Sequence, residues 1–113
     1  MRTIQVGGVT FSDHGTKRVR DHAQQALEAD DYYFKPTFLR GGPGQTLRLE
    51  IENESGTLHN ISIPTLRVDR DIPPRGTVAL DVTFPASGVV RFYCKFHAAL
   101  GMNGELLAND TTP

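Results

Sequence analysis

The sequence predicts an all-β chain, a β-sandwich, and three observations carry that prediction. Apolar residues recur with a period of two over several short runs. Gly- and Pro-rich breaks separate those runs. The runs are short and closely spaced, as in a sandwich built from many short strands.

Taken in order, residues 4–11 read as a strand and residues 13–24 as a loop or short helix. The wider stretch 16–29 is rich in helix formers, with Thr16 as a candidate N-cap. The aromatic group Tyr32, Tyr33, Phe34 and Phe38 is assigned to the core. Leu47, Leu49 and Ile51 alternate with Arg48, Glu50 and Glu52, which marks a half-buried strand. His59 shares the parity of Ile61 and Ile63. Val78, Leu80, Val82 and Phe84 form the next alternating run, and Val90, Phe92 and Cys94 the last. Turn chemistry lies between them at Gly41-Gly42-Pro43-Gly44, Pro73-Pro74-Arg75-Gly76 and Pro85-Ala86-Ser87-Gly88. The organisation expected is an N-terminal extension or extra strand and loop over residues 1–25, a main domain over 26–108, and a frayed tail over 109–113.

At 113 residues and 12.5 kDa the chain fits one domain with a single core. Twelve basic residues against 13 acidic ones give a net charge of -1, with no basic stripe to suit nucleic acid or a membrane surface. No apolar run approaches the ~20 residues that span a bilayer. Nor does a secretory apolar core follow Met1, so an exported protein would have lost its signal beforehand.

Chemistry concentrates near the C-terminus. Cys94 is the one cysteine in the chain, which excludes an internal disulfide, a Cys-x-x-Cys redox pair and a cysteine-rich zinc site. Cys94-x2-His97-x4-Met102, together with the isolated His59-Asn60, supplies a thiolate, two imidazoles and a thioether. That is the donor set of a blue-copper centre. Strand parity points His59 and Cys94 toward the core. His97 and Met102 lie in the turn that follows, where Gly101 lets the chain bend back.

On these residues the chain resembles the cupredoxins, the family of plastocyanin and pseudoazurin, over about two-thirds of its length. The resemblance implies a Greek-key sandwich and one type 1 copper ion. It makes Cys94, His59 and His97 the strong ligands and Met102 the weak axial one. It makes Asn60 the residue that ties the His59 segment to the Cys94 loop, with the Leu58 carbonyl facing the copper opposite Met102. Electron transfer by Cu(I)/Cu(II) cycling follows, with His97 as the exposed edge and Pro43, Phe96, Ala98, Ala99 and Leu100 as an apolar docking patch for redox partner proteins. A monomer in the periplasm, outside the cell or in the cell envelope is the expected setting.

Other functions are weaker on the same residues. Copper trafficking or storage would use the same ligands with a labile metal. A cysteine nucleophile with His97 as base lacks a third orienting group at recognisable spacing. A multicopper oxidase needs further histidine clusters, and only His14 and His22 remain. Those two are read as solvated side chains. Met is a poor zinc ligand, and four protein donors leave no open position for a substrate, which disfavours a metalloenzyme. The run Lys17-Arg18-Val19-Arg20 is a solvated face, and the sequons at Asn53, Asn60 and Asn109 are patterns expected by chance.

Overall fold

The computed structural model describes residues 2–109 and 111–113. In chain order its strands are β1 (Arg2–Val6), β2 (Val9–Asp13), β3 (Thr16–Arg18), β4 (Gln24–Asp30), β5 (Tyr33–Lys35) and β6 (Phe38–Gly41). They continue as β7 (Thr46–Asn53), β8 (His59–Ile63), β9 (Val68–Ile72), β10 (Thr77–Thr83), β11 (Val89–Tyr93) and β12 (Asn103–Ala108). Two short 3-10 turns lie at Pro64–Leu66 and Ala98–Leu100. One sheet has the order β10-β7-β4-β5 and the other β3-β6-β12-β11-β8-β9, while β1 and β2 form a separate hairpin. The two larger sheets pack as a sandwich around one apolar cluster that includes Leu27, Leu49, Ile61, Phe92 and Cys94.

The N-terminal quarter departs from the sequence prediction. Residues 4–11 are not one strand, because Gly7 and Gly8 take left-handed φ values of 56° and 81° and reverse the chain between Val6 and Val9. Two left-handed residues match the twist of an antiparallel pair, the geometry of a two-residue hairpin. Residues 13–24 contain β3 rather than a helix, and the helix formers of 24–30 lie in β4. Leu27 and Ala29 alternate into the core at 1% and 0% exposure, and β4 pairs in parallel with β7. Burial with period two outweighs a helix propensity of a few tenths of a kcal/mol per residue. Near the C-terminus Arg40 donates to the carbonyls of Asn109 and Thr111, and Thr111 N–H donates to Ala108 O.

Strand β7 alternates as the sequence predicts, with Leu47, Leu49, Ile51 and Asn53 buried and their neighbours exposed. Strand β12 is buried along its whole length because both of its faces are covered. Leu106 faces the sandwich core, while Leu107 packs with Phe38 and with Phe11 of the hairpin. A Cβ on Gly104 would lie 2.3 Å from the Phe92 ring, so only glycine lets β12 approach β11 this closely.

Glu105 is the exception in that buried strand. It is 5% exposed, and its Oε1 lacks a hydrogen-bond partner among the described residues. Desolvation pushes its carboxyl above the ordinary value, with nearby Arg91 pulling the other way. A raised folded value means that stability is full below the unfolded value of 4.5 and declines as pH rises through the folded one. Glu105→Gln is expected to remove that decline and add about 1 kcal/mol at neutral pH. Denaturant unfolding of both proteins across pH 4 to 8 measures it, and parallel pH profiles would refute it.

Candidate metal centre

Three strand ends converge at one end of the six-stranded sheet. Strand β8 begins there with His59. Strand β11 ends there at Tyr93, which pairs with Ser62 of β8 on one side and with Asn103, the first residue of β12, on the other. Cys94 follows β11 directly, His97 precedes the 3-10 turn Ala98–Leu100, and Met102 follows that turn. Gly101 closes the turn at φ 97°, a left-handed conformation that suits glycine.

The loop brings the donors together. Cys94 Sγ lies 3.5 Å from His97 Nδ1 and 4.0 Å from His59 Nδ1. All three ligand atoms fall within 4.8 Å of one another. The two imidazoles stand at 74° with centroids 5.1 Å apart. His59, Cys94 and Met102 are fully buried, whereas His97 is half-buried. Met102 is fixed by its backbone, since its N–H donates to His97 O and its carbonyl accepts from Cys94 N–H.

Burial disfavours charge on His59 and Cys94. Burial lowers the His59 pKa below its ordinary 6.5 and His97 adds to the effect, while Asp31 opposes it. Burial also pushes the Cys94 thiol up, and backbone N–H groups of Phe96, Asn60 and His97 aimed at the sulfur offset part of this. Those donors suit a thiolate, so the pocket can accept charge on sulfur once a cation balances it. Two imidazoles, one soft sulfur donor and a buried thioether fit copper by donor chemistry.

Asn60 bridges the two segments. Its Oδ1 accepts from Lys95 N–H at 3.3 Å and from Ser62 Oγ at 2.6 Å, while its Nδ2 donates to Asp69 and Asp71. Leu58 is 42% exposed beside His59. Phe96 and Leu100 are 47% and 59% exposed, Ala99 is exposed and Ala98 half-buried, all within three residues of His97 in the chain. Pro43 does not belong with them. It follows Gly41, which pairs with Ala108 at the far end of β12, and Gly44 bonds to Pro85 there. The Gly-Pro run forms a turn, as the sequence predicts, but the sandwich places it at the opposite pole from His97.

Sequence reasoning missed two further groups. Asp31 Oδ1 lies 2.9 Å from His59 Nε2, and Tyr32 packs its ring 4.6 Å from that of His97. Tyr32 was assigned to the core with its neighbours, yet it is 39% exposed while Phe34 and Phe38 are buried. Asp30-Asp31 beside an aromatic run was the available signal, though nothing local links it to a histidine 28 residues away. The N-terminal hairpin also reaches the ligand loop. Ser12 N–H donates to Gly101 O at 2.9 Å, and Asn103 Nδ2 donates to Thr10 O and Ala98 O. His14 stacks on Tyr33 at 3.6 Å, and neither it nor His22 joins a donor cluster among the described residues.

A mononuclear, thiolate-containing metal site held inside a β-sandwich is the class that this fold and donor set define. The chain belongs to the cupredoxin-like family: residues 4–108 match the family profile described as a cupredoxin-like domain. Among solved structures it is similar to the metal-binding domain of the Cu(I)-exporting P-type ATPase CopA of Streptococcus pneumoniae D39. The identity is 11% and the TM-score 0.68, over 83% of this chain and 97% of that one. It is also similar to dithionite-reduced auracyanin from Roseiflexus castenholzii, with 18% identity and a TM-score of 0.64, covering 80% of this chain and 98% of the other. Auracyanin A of Chloroflexus aurantiacus, a "blue" copper protein, is 18% identical with a TM-score of 0.60, covering 76% and 99%. No curated protein sequence matches the chain.

Two outcomes follow from the burial of His59 and Cys94. His59 has a depressed folded value, so in the metal-free protein it contributes stability above the unfolded 6.5 that is lost as pH falls toward the folded value. Thermal unfolding should show that loss, and His59→Gln should abolish its pH dependence. Because Cys94 is a thiol at neutral pH, uptake of a soft cation should release about one proton and tighten about tenfold per pH unit. Calorimetry in buffers of different ionisation enthalpy tests this, and uptake without proton release would contradict the assignment of Cys94.

Proposed function

We propose that the chain is a one-electron carrier holding a single copper ion in a type 1 site. His59 Nδ1, Cys94 Sγ and His97 Nδ1 are the strong donors, and Met102 is the weak axial one. The observation that carries this reading is the convergence of the three donor atoms within 4.8 Å, with His59 and Cys94 buried and His97 half-buried. Bound copper would supply a reversible Cu(I)/Cu(II) couple, for which a trigonal His2Cys set with a distant thioether suits both states.

The chain's own residues do the rest. Cys94 gives up its proton on loading and keeps its backbone donors. Asn60 holds the Lys95 amide, which fixes the loop carrying Cys94 against the segment carrying His59. His97 is the half-buried edge through which electrons leave. Phe96, Leu100, Ala99, Leu58 and Tyr32 give it an apolar rim suited to the small, short-lived interfaces of redox partners. Four protein donors favour a carrier over an enzyme. Work as a monomer in the periplasm, outside the cell or in the envelope belongs to the same reading.

Copper delivery or storage is the competing role for these ligands. Release would have to expose His59 and Cys94, both at 0% exposure, and undo the bonds that lock Met102 to His97 and Cys94. That rigidity favours the carrier.

Adding Cu(II) and cycling with ascorbate and ferricyanide is the direct test. An intense visible band that bleaches and returns is expected, and colourless uptake would favour delivery or storage. Cys94→Ser should abolish the band. Met102→Gln should retain copper and lower the potential by at least ~59 mV, equivalent to a tenfold change in the preference between oxidation states. An unchanged potential would remove Met102 from the axial role.

A further inference from the structure

The turn between β4 and β5 comes from the four-stranded sheet, yet it touches both imidazoles of a site built on the six-stranded one. Asp31 Oδ1 sits 2.9 Å from His59 Nε2, and its Oδ2 accepts from Thr57 Oγ1 at 3.3 Å. Asp31 N–H in turn donates to Asp30 Oδ1 at 2.8 Å. The carboxylate is therefore held by His59 and Thr57, and the Asp31 backbone by Asp30. The next residue, Tyr32, lays its ring 4.6 Å from His97 at 44° and presents an edge to His59 at 6.2 Å and 82°.

We propose that Asp31-Tyr32 is a positioning clamp that sets both histidines before metal arrives and tunes the loaded site. An imidazole that donates Nε2–H to a carboxylate leaves Nδ1 bare, and His59 Nδ1 is the atom that faces Cys94. Asp31 thus fixes the tautomer and ring orientation of His59 together. Tyr32 packs at a tilt against the half-buried His97 ring, restricting its rotation about the side-chain bonds and shielding that side from water. One dipeptide acts on one ligand by hydrogen bonding and on the other by packing.

A charge consequence follows. A carboxylate bonded to a ligand imidazole raises its basicity and favours the more highly charged state of the metal. Asp31 should therefore hold the reduction potential down. This last point rests on the copper reading, whereas the clamp itself does not.

The test uses the full chain in metal-free form first. Nitrogen-edited NMR of the histidine rings should show a His59 Nε2–H protected from solvent exchange. Asp31→Ala should accelerate that exchange at least about tenfold, the weight of a charge-assisted hydrogen bond. Asp31→Asn, which keeps an acceptor, should restore protection. Tyr32→Ala should broaden the His97 ring signals, and Tyr32→Phe should leave them sharp. Backbone amide spectra establish that each variant is folded, with the Asn and Phe variants standing in should the alanine ones unfold. In the copper-loaded protein both Asp31 variants should have raised potentials. Unaltered Nε2–H exchange in Asp31→Ala together with sharp His97 signals in Tyr32→Ala would overturn the clamp. An intact clamp in a protein that never turns blue would instead overturn the copper reading alone.

Discussion

The site depends on a strand ladder that stops early. Strands β8 and β11 are neighbours, yet their pairing is the single register Tyr93 to Ser62. Beyond it the two strands part, and the backbone donors that a longer ladder would have consumed become available. Asn60 N–H and Phe96 N–H turn toward the Cys94 sulfur, and Lys95 N–H is taken up by the Asn60 side chain. Buried backbone groups must find partners. Here an amide side chain and a thiol serve, and the gap between the strands becomes a pocket with donors already in place. Were the ladder continued in this register, Ile61 would face Cys94 and His59 would face Phe96, and the strands would close the gap that now holds the donors.

The same accounting explains why a polar pocket is tolerated in the core. Burying an imidazole without a partner costs roughly 1–3 kcal/mol, and burying a charge costs more. His59 avoids both, staying neutral by desolvation while Asp31 takes its second nitrogen. Cys94 remains a thiol with backbone donors against it. Glu105, buried at the other face of the same sheet, lacks this provision at Oε1 among the described residues. A fold that satisfies every polar group around Cys94 but not around Glu105 concentrates its polar order at one end. The N-terminal hairpin adds to that order through Ser12 and Thr10, which bond the residues flanking Met102 on either side.

Much of this was legible in the sequence, for physical reasons. Period-two burial in β7 and the shared parity of His59, Ile61 and Ile63 follow from strand geometry, and local geometry can be read locally. The spacing from Cys94 to Met102 is likewise a property of one short loop. Composition misled at β4, because helix propensities are small beside the burial of Leu27 and Ala29. Gly7-Gly8 carries a hairpin signal within the alternating run of residues 4–11. Pro43 and Asp31 were misjudged or missed for a common reason. Each is placed by a sheet pairing remote in sequence, Gly41 with Ala108 for one and β4 with β7 for the other. Local pattern shows which way a side chain points along its strand but not which pole of the sandwich it occupies.

That polarity bears on what kind of copper protein this fold can be. The ligands gather at one pole, and three of the four donors are sealed in the core while His97 alone reaches the surface. A carrier needs a donor set that changes little between oxidation states, with one conducting edge exposed. A delivery protein needs the reverse, with ligands that a partner can reach and replace in sequence. Access to Cys94 here would mean displacing His97, which is pinned by Tyr32 on one side and through its carbonyl by Leu100 and Met102 on the other. Those restraints belong to the protein without its metal, so loading need not reorganise the loop, and neither need a change of oxidation state. The pocket's geometry is thus set by the sandwich, the β4–β5 turn and the hairpin together, and the ion would enter a shape that three separate elements already enforce.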